Sequence, residues 1–351
     1  MGRPLFLRSD PQDLVLELPG GRTVRPLDSL GRGSEATVYR ARLDDGAGLV
    51  RTVALKLFDA LPTETGDATL KVLQDAFRAS AGVRHPNVVG TYEFGVTDAG
   101  QPFVVEECVE GLSLAELVNA HGAVSRRLPT DIALFLGVEI AEALSASPDA
   151  ADAPGRHWLV HGGLGARQVL VSRHGEVKVS DFGLARARSL ESGIRDLRSV
   201  AEKLVPMAPE VANGGTADAR SDVFSLGILL WELVVGPRFS PDMRDHERMV
   251  ASREGAIHES AFAPVLDPEL RELFRVALAA EPRMRLPHAS YFGRSLRTIA
   301  LRMGVGDSRV FLRSLVDSLR LRSMENDVTR AERGGSSRPP RKGARSRGRR
   351  G

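Results

Sequence analysis

Val177-Lys178-Val179-Ser180-Asp181-Phe182-Gly183-Leu184 is the stretch on which the fold turns. It closes a pair of short apolar runs, 168–172 and 177–179, separated by a His174-Gly175 turn, which predicts a two-stranded hairpin. A carboxylate at the end of a strand, followed by an apolar anchor and a glycine, suits the holding of Mg²⁺ against phosphate oxygens. An aspartate opening an ordinary turn has the same local look.

Three further motifs lie around it. Leu30-Gly31-Arg32-Gly33-Ser34-Glu35-Ala36-Thr37-Val38 places two glycines between strands, where backbone N–H groups can approach a polyphosphate while Leu30 and Val38 bracket a flat base. A plain hairpin turn reads the same way. Val53-Ala54-Leu55-Lys56 puts Ala54 and Lys56 on one face of a strand, and a lysine among apolar neighbours must reach a partner or solvent. Only five of the 48 basic residues are lysine, so a lysine inside a motif is less easily an accident. Met207-Ala208-Pro209-Glu210 precedes Ser221-Asp222-Val223-Phe224-Ser225-Leu226-Gly227, where Ser221 or Asp222 could cap a helix.

The region 23–109 reads as strand-rich with one helix, 68–82, and from Gly111 onward the apolar period becomes helical over 114–120, 131–144, 223–235 and 268–280. Residues 1–22 form apolar pieces broken by Pro19-Gly20-Gly21, an N-terminal extension with the look of a β-ribbon. The expected fold class is α+β, with a small β-rich lobe followed by a larger α-helical lobe. Of the 351 residues 42% are apolar, ample for a core, and the single Cys108 excludes an intrachain disulfide or a thiolate metal site. No run suits a membrane span or a secretory leader, so a soluble, cytoplasmic chain is expected.

In this order the motifs resemble the protein kinase signature set, in the style of bacterial Ser/Thr kinases, over residues 23–300. The resemblance also rests on His85-Pro86-Asn87, on the hinge-like Glu107-Cys108-Val109-Glu110-Gly111 and on Arg285, which looks like the partner of Glu210. It implies a bilobal kinase-like fold: small lobe 23–107, hinge 107–111, large lobe 112–300. It implies ATP and Mg²⁺ as cofactors, with Leu30, Gly31, Gly33, Val38, Ala54, Lys56, Glu106, Glu107 and Val109 around the nucleotide and Asp181 on the metal.

The catalytic loop departs from the family pattern His-Arg-Asp-Leu-x-x-x-Asn. This chain reads His161-Gly162-Gly163-Leu164-Gly165-Ala166-Arg167-Gln168, so Gly163 stands at the position of the catalytic base. Gln168 stands at the metal-binding asparagine, displaced by one methylene and a poor ligand for an ion wanting oxygens at ~2.1 Å. Ala76 stands where the family glutamate would pair with Lys56; Asp75 and Gln74 beside it face elsewhere. Strand alternation aims Glu106 into the cleft beside Lys56, and a Lys56–Glu106 pair is expected to replace the missing one; a shift of one residue would instead make Glu106 a surface side chain. No threonine lies between Asp181 and Glu210, leaving Ser189, Ser192 and Ser199 as phosphorylation candidates.

The expectation is therefore a pseudokinase that binds ATP and acts as a regulatory or interaction module on a protein partner such as an active kinase or its substrate. A weak Ser/Thr kinase working without the usual base, and a scaffold that binds no nucleotide, are the alternatives. Beyond 300 an amphipathic helix is expected over 301–326, then a disordered basic tail, 327–351. From Arg330 onward nine basic residues face one glutamate, a net of +8 that leaves −5 for the rest of the +3 chain. The basic body expected of a nucleic-acid-binding protein is thereby excluded; the tail is either solvated or attached to nucleic acid or an acidic membrane.

Overall fold

The computed structural model describes residues 14–33, 36–59, 66–121, 127–146, 160–183, 206–240, 242–255, 257, 259–262 and 267–334. Ser34, Glu35, Leu184, Ser189, Ser192, Ser199 and the tail from 335 lie outside them.

Six antiparallel strands come first: β1 (Leu16–Leu18), β2 (Arg22–Arg32), β3 (Ala36–Asp44), β4 (Val50–Phe58), β5 (Thr91–Val96) and β6 (Pro102–Glu107), in the sheet order β1-β2-β3-β4-β6-β5. Period-two alternation divides their side chains. Leu16, Leu18, Val24, Leu43, Val53, Leu55 and Val105 fill one face. Ala36, Phe58 and Val104 meet Leu73 and Phe77 of helix α1 (Gly66–Ala81) on the other. Arg22 of β2 ion-pairs with Glu93 of β5, so the sheet curls until strands far apart in its order meet. The Pro19-Gly20-Gly21 break is the turn of a β1–β2 ribbon, as its sequence suggests, and through that ribbon residues 16–18 join this sheet.

Residues 108–110 link the lobes. A second sheet follows, β7 (Gly111–Ser113), β8 (Val169–Ser172) and β9 (Val177–Val179), with the expected hairpin as β8–β9. Gly111 is required where it stands, because a Cβ there would lie 1.9 Å from the Val171 carbonyl oxygen. The helices are α2 (Leu114–His121), α3 (Thr130–Ser145), α4 (Pro209–Ala212), α5 (Ala219–Val234), α6 (Asp245–Glu254), α7 (Pro268–Ala277), α8 (Ala289–Arg302) and α9 (Arg309–Gly334). Residues 221–231 of α5 are buried on every side, which makes α5 the internal post of the large lobe.

Two expectations need correction. The N-cap of α5 is Asp218, in a capping box with Ser221; the helix starts earlier than its apolar period suggests, because Asp218 satisfies the first free N–H groups. Asp222 is thereby inside the lobe. The last helix runs 309–334, not 301–326. Residues up to Arg302 belong to α8, and Gly304 (φ +72°) ends it. The apolar residues Leu312, Leu315, Val316 and Leu319 of α9 pack on the large lobe, and the helix continues past that apolar run, where periodicity gives no signal.

Glu210 and Arg285 lock α4 to the segment before α8. Both guanidinium ends donate to the carboxylate at 2.8 Å, and Ser221 Oγ donates at 2.7 Å. Burial alone would raise the Glu210 carboxyl; the hydrogen bonds from Arg285 and Ser221 overcome it and hold the pKa below the ordinary value. Arg285 is the more enclosed partner, so Glu210→Gln strands a buried cation and is expected to cost about 3–5 kcal/mol at pH 7 in urea unfolding. Because the folded pKa is depressed, this contribution is complete above the unfolded value near 4.5 and is lost as pH falls through the folded one. The stability gap between wild type and variant should close in that acid window.

Candidate functional site

β4 delivers Lys56. Cross-strand register sets Val38 and Val104 opposite Lys56, and Glu106 opposite Ala54, so all five share one face. The Lys56 ammonium donates to Asp181 Oδ1 at 2.5 Å, joining the two lobes with side chains only 10% and 9% exposed. Asp181 adopts a left-handed backbone (φ 69°), costly for a residue with a Cβ by roughly 1 kcal/mol. Its neighbours enforce it. Phe182 is buried in the core of the large lobe against the His161 ring, centroids 4.9 Å apart, and His161 Nε2 bonds the Ser180 carbonyl oxygen at 2.9 Å.

The segment leading to Asp181 is fixed from behind. Asn87 Nδ2 donates to Glu139 at 2.8 Å and to the Val177 carbonyl at 2.9 Å, while Val179 N donates to Asn87 O at 2.8 Å. That is what His85-Pro86-Asn87 does here. At the hinge, the Glu107 carboxylate accepts from Lys178 at 3.0 Å and from Gly90 N at 3.2 Å, so its side chain is committed to β9 rather than turned to the cleft. Val109 sits half-buried in the linker, Val38 is half-buried, and Leu30 is exposed on β2. The Lys178–Glu107 strut was not foreseen. Its one signal was the rarity of lysine, which also marked Lys56.

Asp222, which local sequence offered only as a cap, shapes the catalytic loop. Its two oxygens accept from His161 N and Gly162 N, each at 2.8 Å. Burial pushes its carboxyl up to about 7 against the opposing pull of those donors. Gly162 takes a left-handed φ of 71°, and Gly163 N faces His161 Nδ1 at 3.3 Å. No carboxylate occurs between His161 and Gln168. Gln168 holds the loop through its backbone, accepting from Ser180 N at 2.9 Å, and its side-chain oxygen lies beside Gly165.

The expected Lys56–Glu106 ion pair is absent among the described residues, because Asp181 takes the ammonium. Glu106 does face inward, lining a recess with Phe77, Ser80, Thr91, Asp181 and Phe182. Burial first, then the Asp181 charge, raise its carboxyl to about 7 against the pull of Lys56. On α1, Ala76 packs against the apolar cluster under the sheet, and Asp75 points out to Arg78. The described inward face of α1 therefore offers Lys56 no carboxylate.

A family model described as protein tyrosine and serine/threonine kinase matches residues 24–291. Serine/threonine-protein kinase PknB of Mycolicibacterium smegmatis is 30% identical over 266 residues, covering 74% of this chain and 40% of that protein. PknL of Mycobacterium bovis is 30% identical over 287 residues, covering 80% of this chain and 66% of that protein. The chain spans well under half the length of several curated relatives it matches. Among solved structures, a mutant form of the Mycobacterium tuberculosis PknI kinase domain superposes with a TM-score of 0.60 at 20% identity, over 83% of this chain and 99% of that one, a likeness of fold alone.

Asp222→Ala leaves the buried His161 N–H and the half-buried Gly162 N–H without an acceptor, at about 1–3 kcal/mol for the first and less for the second. It is expected to destabilise the chain by roughly 2–4 kcal/mol and to speed hydrogen exchange at His161 and Gly162 first. Asp222→Asn keeps an acceptor and should cost less.

Proposed function

This chain belongs to the protein tyrosine and serine/threonine kinase family, and from that premise we propose that it binds ATP yet is impaired in phosphoryl transfer, serving as a regulatory or interaction module for another protein in signalling. The observation that carries this is the loop 161–168: pinned by Asp222, complete in backbone, and without a carboxylate at Gly163.

The parts that hold nucleotide fit the ligand. A Cβ at Gly31 would meet nothing within 4 Å and one at Gly33 only the Ala36 carbonyl oxygen at 3.6 Å, so that stretch of backbone is open to approach. Lys56 would face the phosphates, Asp181 would hold one Mg²⁺, and Ala54, Val38, Leu30 and the 107–109 linker would border the base. The ion, when bound, neutralises phosphate charge. A second ion is poorly served, since Gln168 replaces the shorter amide and sits against Gly165.

Loss of a general base costs ~10²–10⁴ in rate. Phosphoryl transfer rests largely on position and charge, so this loss alone would leave turnover. The absence of a carboxylate on the inward face of α1 and the Gln168 change weaken those remaining terms. A weak Ser/Thr kinase is the second reading, favoured by the convergence of Lys56 and Asp181.

Mg-ATP at a hundredfold excess over Kd should stabilise the chain by about 2.7 kcal/mol, read as a thermal shift that Lys56→Ala removes. Transfer of γ-phosphate to protein substrates should stay at background. Turnover that vanishes in Asp181→Ala would establish the weak kinase instead, and no shift at millimolar Mg-ATP would leave a scaffold that binds no nucleotide.

A further inference from the structure

Two carboxylates flank the site of Lys56, and it pairs with one. It is paired with Asp181 at 2.5 Å. Glu106, two residues along the adjacent strand from the Val104 that faces Lys56, lines the same recess as Asp181, feels the charge of both Lys56 and Asp181, and takes no hydrogen bond or ion pair among the described residues. Glu106 is half-buried and without a partner among the described residues, and an enclosed ammonium such as Lys56 is costly once its partner is withdrawn.

A magnesium nucleotide creates part of that second situation: the ion draws on Asp181, and the phosphates that Lys56 would face take only some of its three N–H donors. Asp181 can neutralise Lys56 or ligate the ion, and the ion carries the larger charge. In this chain no carboxylate on α1 stands ready to receive the lysine, since Ala76 is packed on the apolar cluster and Asp75 is paired with Arg78 on the surface. We propose that Lys56 has two stations, Asp181 as in this structure and Glu106 once Asp181 is drawn to a metal-bound phosphate, which makes Glu106 the positioning residue that substitutes for the missing carboxylate of α1. This inference rests on the nucleotide-binding reading above. It adds that the exchange belongs to the metal-bound nucleotide: without metal, Asp181 keeps the lysine and Glu106 stays idle.

Five lysines make the test direct. In the full chain labelled at the lysine side-chain nitrogens, the Lys56 signal is assigned by its loss in Lys56→Arg and followed with the non-hydrolysable analogue AMP-PNP, with and without Mg²⁺. Binding of the same probe is titrated in parallel. Glu106→Gln is expected to move the Lys56 signal several-fold more in the Mg-AMP-PNP state than without nucleotide. It should weaken Mg-AMP-PNP binding about tenfold, the scale of one ion pair, and change metal-free AMP-PNP binding little. A carboxylate resupplied from α1 in the double variant Glu106→Gln/Ala76→Glu, or kept in Glu106→Asp, should restore much of the loss.

An unchanged Mg-AMP-PNP affinity in Glu106→Gln overturns the two-station model. So does an equal loss with and without metal that neither carboxylate variant rescues, which is the mark of a structural role. Failure of the underlying reading looks different: wild type itself would then not bind Mg-AMP-PNP, and its Lys56 signal would not respond to the probe.

Discussion

Lys56 and Asp181 come from opposite lobes, and each is almost fully enclosed, so neither charge is tolerable without the other or a substitute. Everything nearby serves to bring them together. The sheet fixes the lysine by register, three strands deep. On the other side, Asp181 is carried by β9, which is bound to Asn87 and through it to Glu139 of α3, and is anchored by Phe182 in the core. The left-handed backbone of Asp181 is held by these contacts rather than by any preference of its own.

The same scaffold holds the loop 161–168, which carries no carboxylate. Asp222 grips His161 and Gly162 from the buried helix α5, and Glu210 is locked by Arg285, with the backbone framework intact on both sides of Gly163. The departures from the family pattern at Gly163 and Gln168 leave that framework in place.

Much of the fold was legible because its signals are local. Period-two runs at 53–57 and 102–105, a hairpin at 168–179 and helical periods after Gly111 became the expected strands and helices, and Arg285 found Glu210. The parts that were misread or missed are not announced by apolar periodicity. The cap at Asp218 lies outside the apolar run of its helix, and α9 continues beyond its own apolar run. Lys178 and Glu107 are 71 residues apart, and only the closeness of β9 to the hinge makes them partners.

The sequence by itself determined the order of the motifs, the family they resemble, and the absence of a carboxylate from 161 to 168, since composition and spacing along a chain are complete before it folds. It also placed Glu106 on the face of Lys56, because alternation along a strand has a fixed period. Tertiary structure alone decided which carboxylate the lysine meets. Glu106 shares its face, yet the lysine pairs with Asp181, which is set in place by the packing of Phe182, His161 and β9, groups that lie more than a hundred residues beyond the lysine.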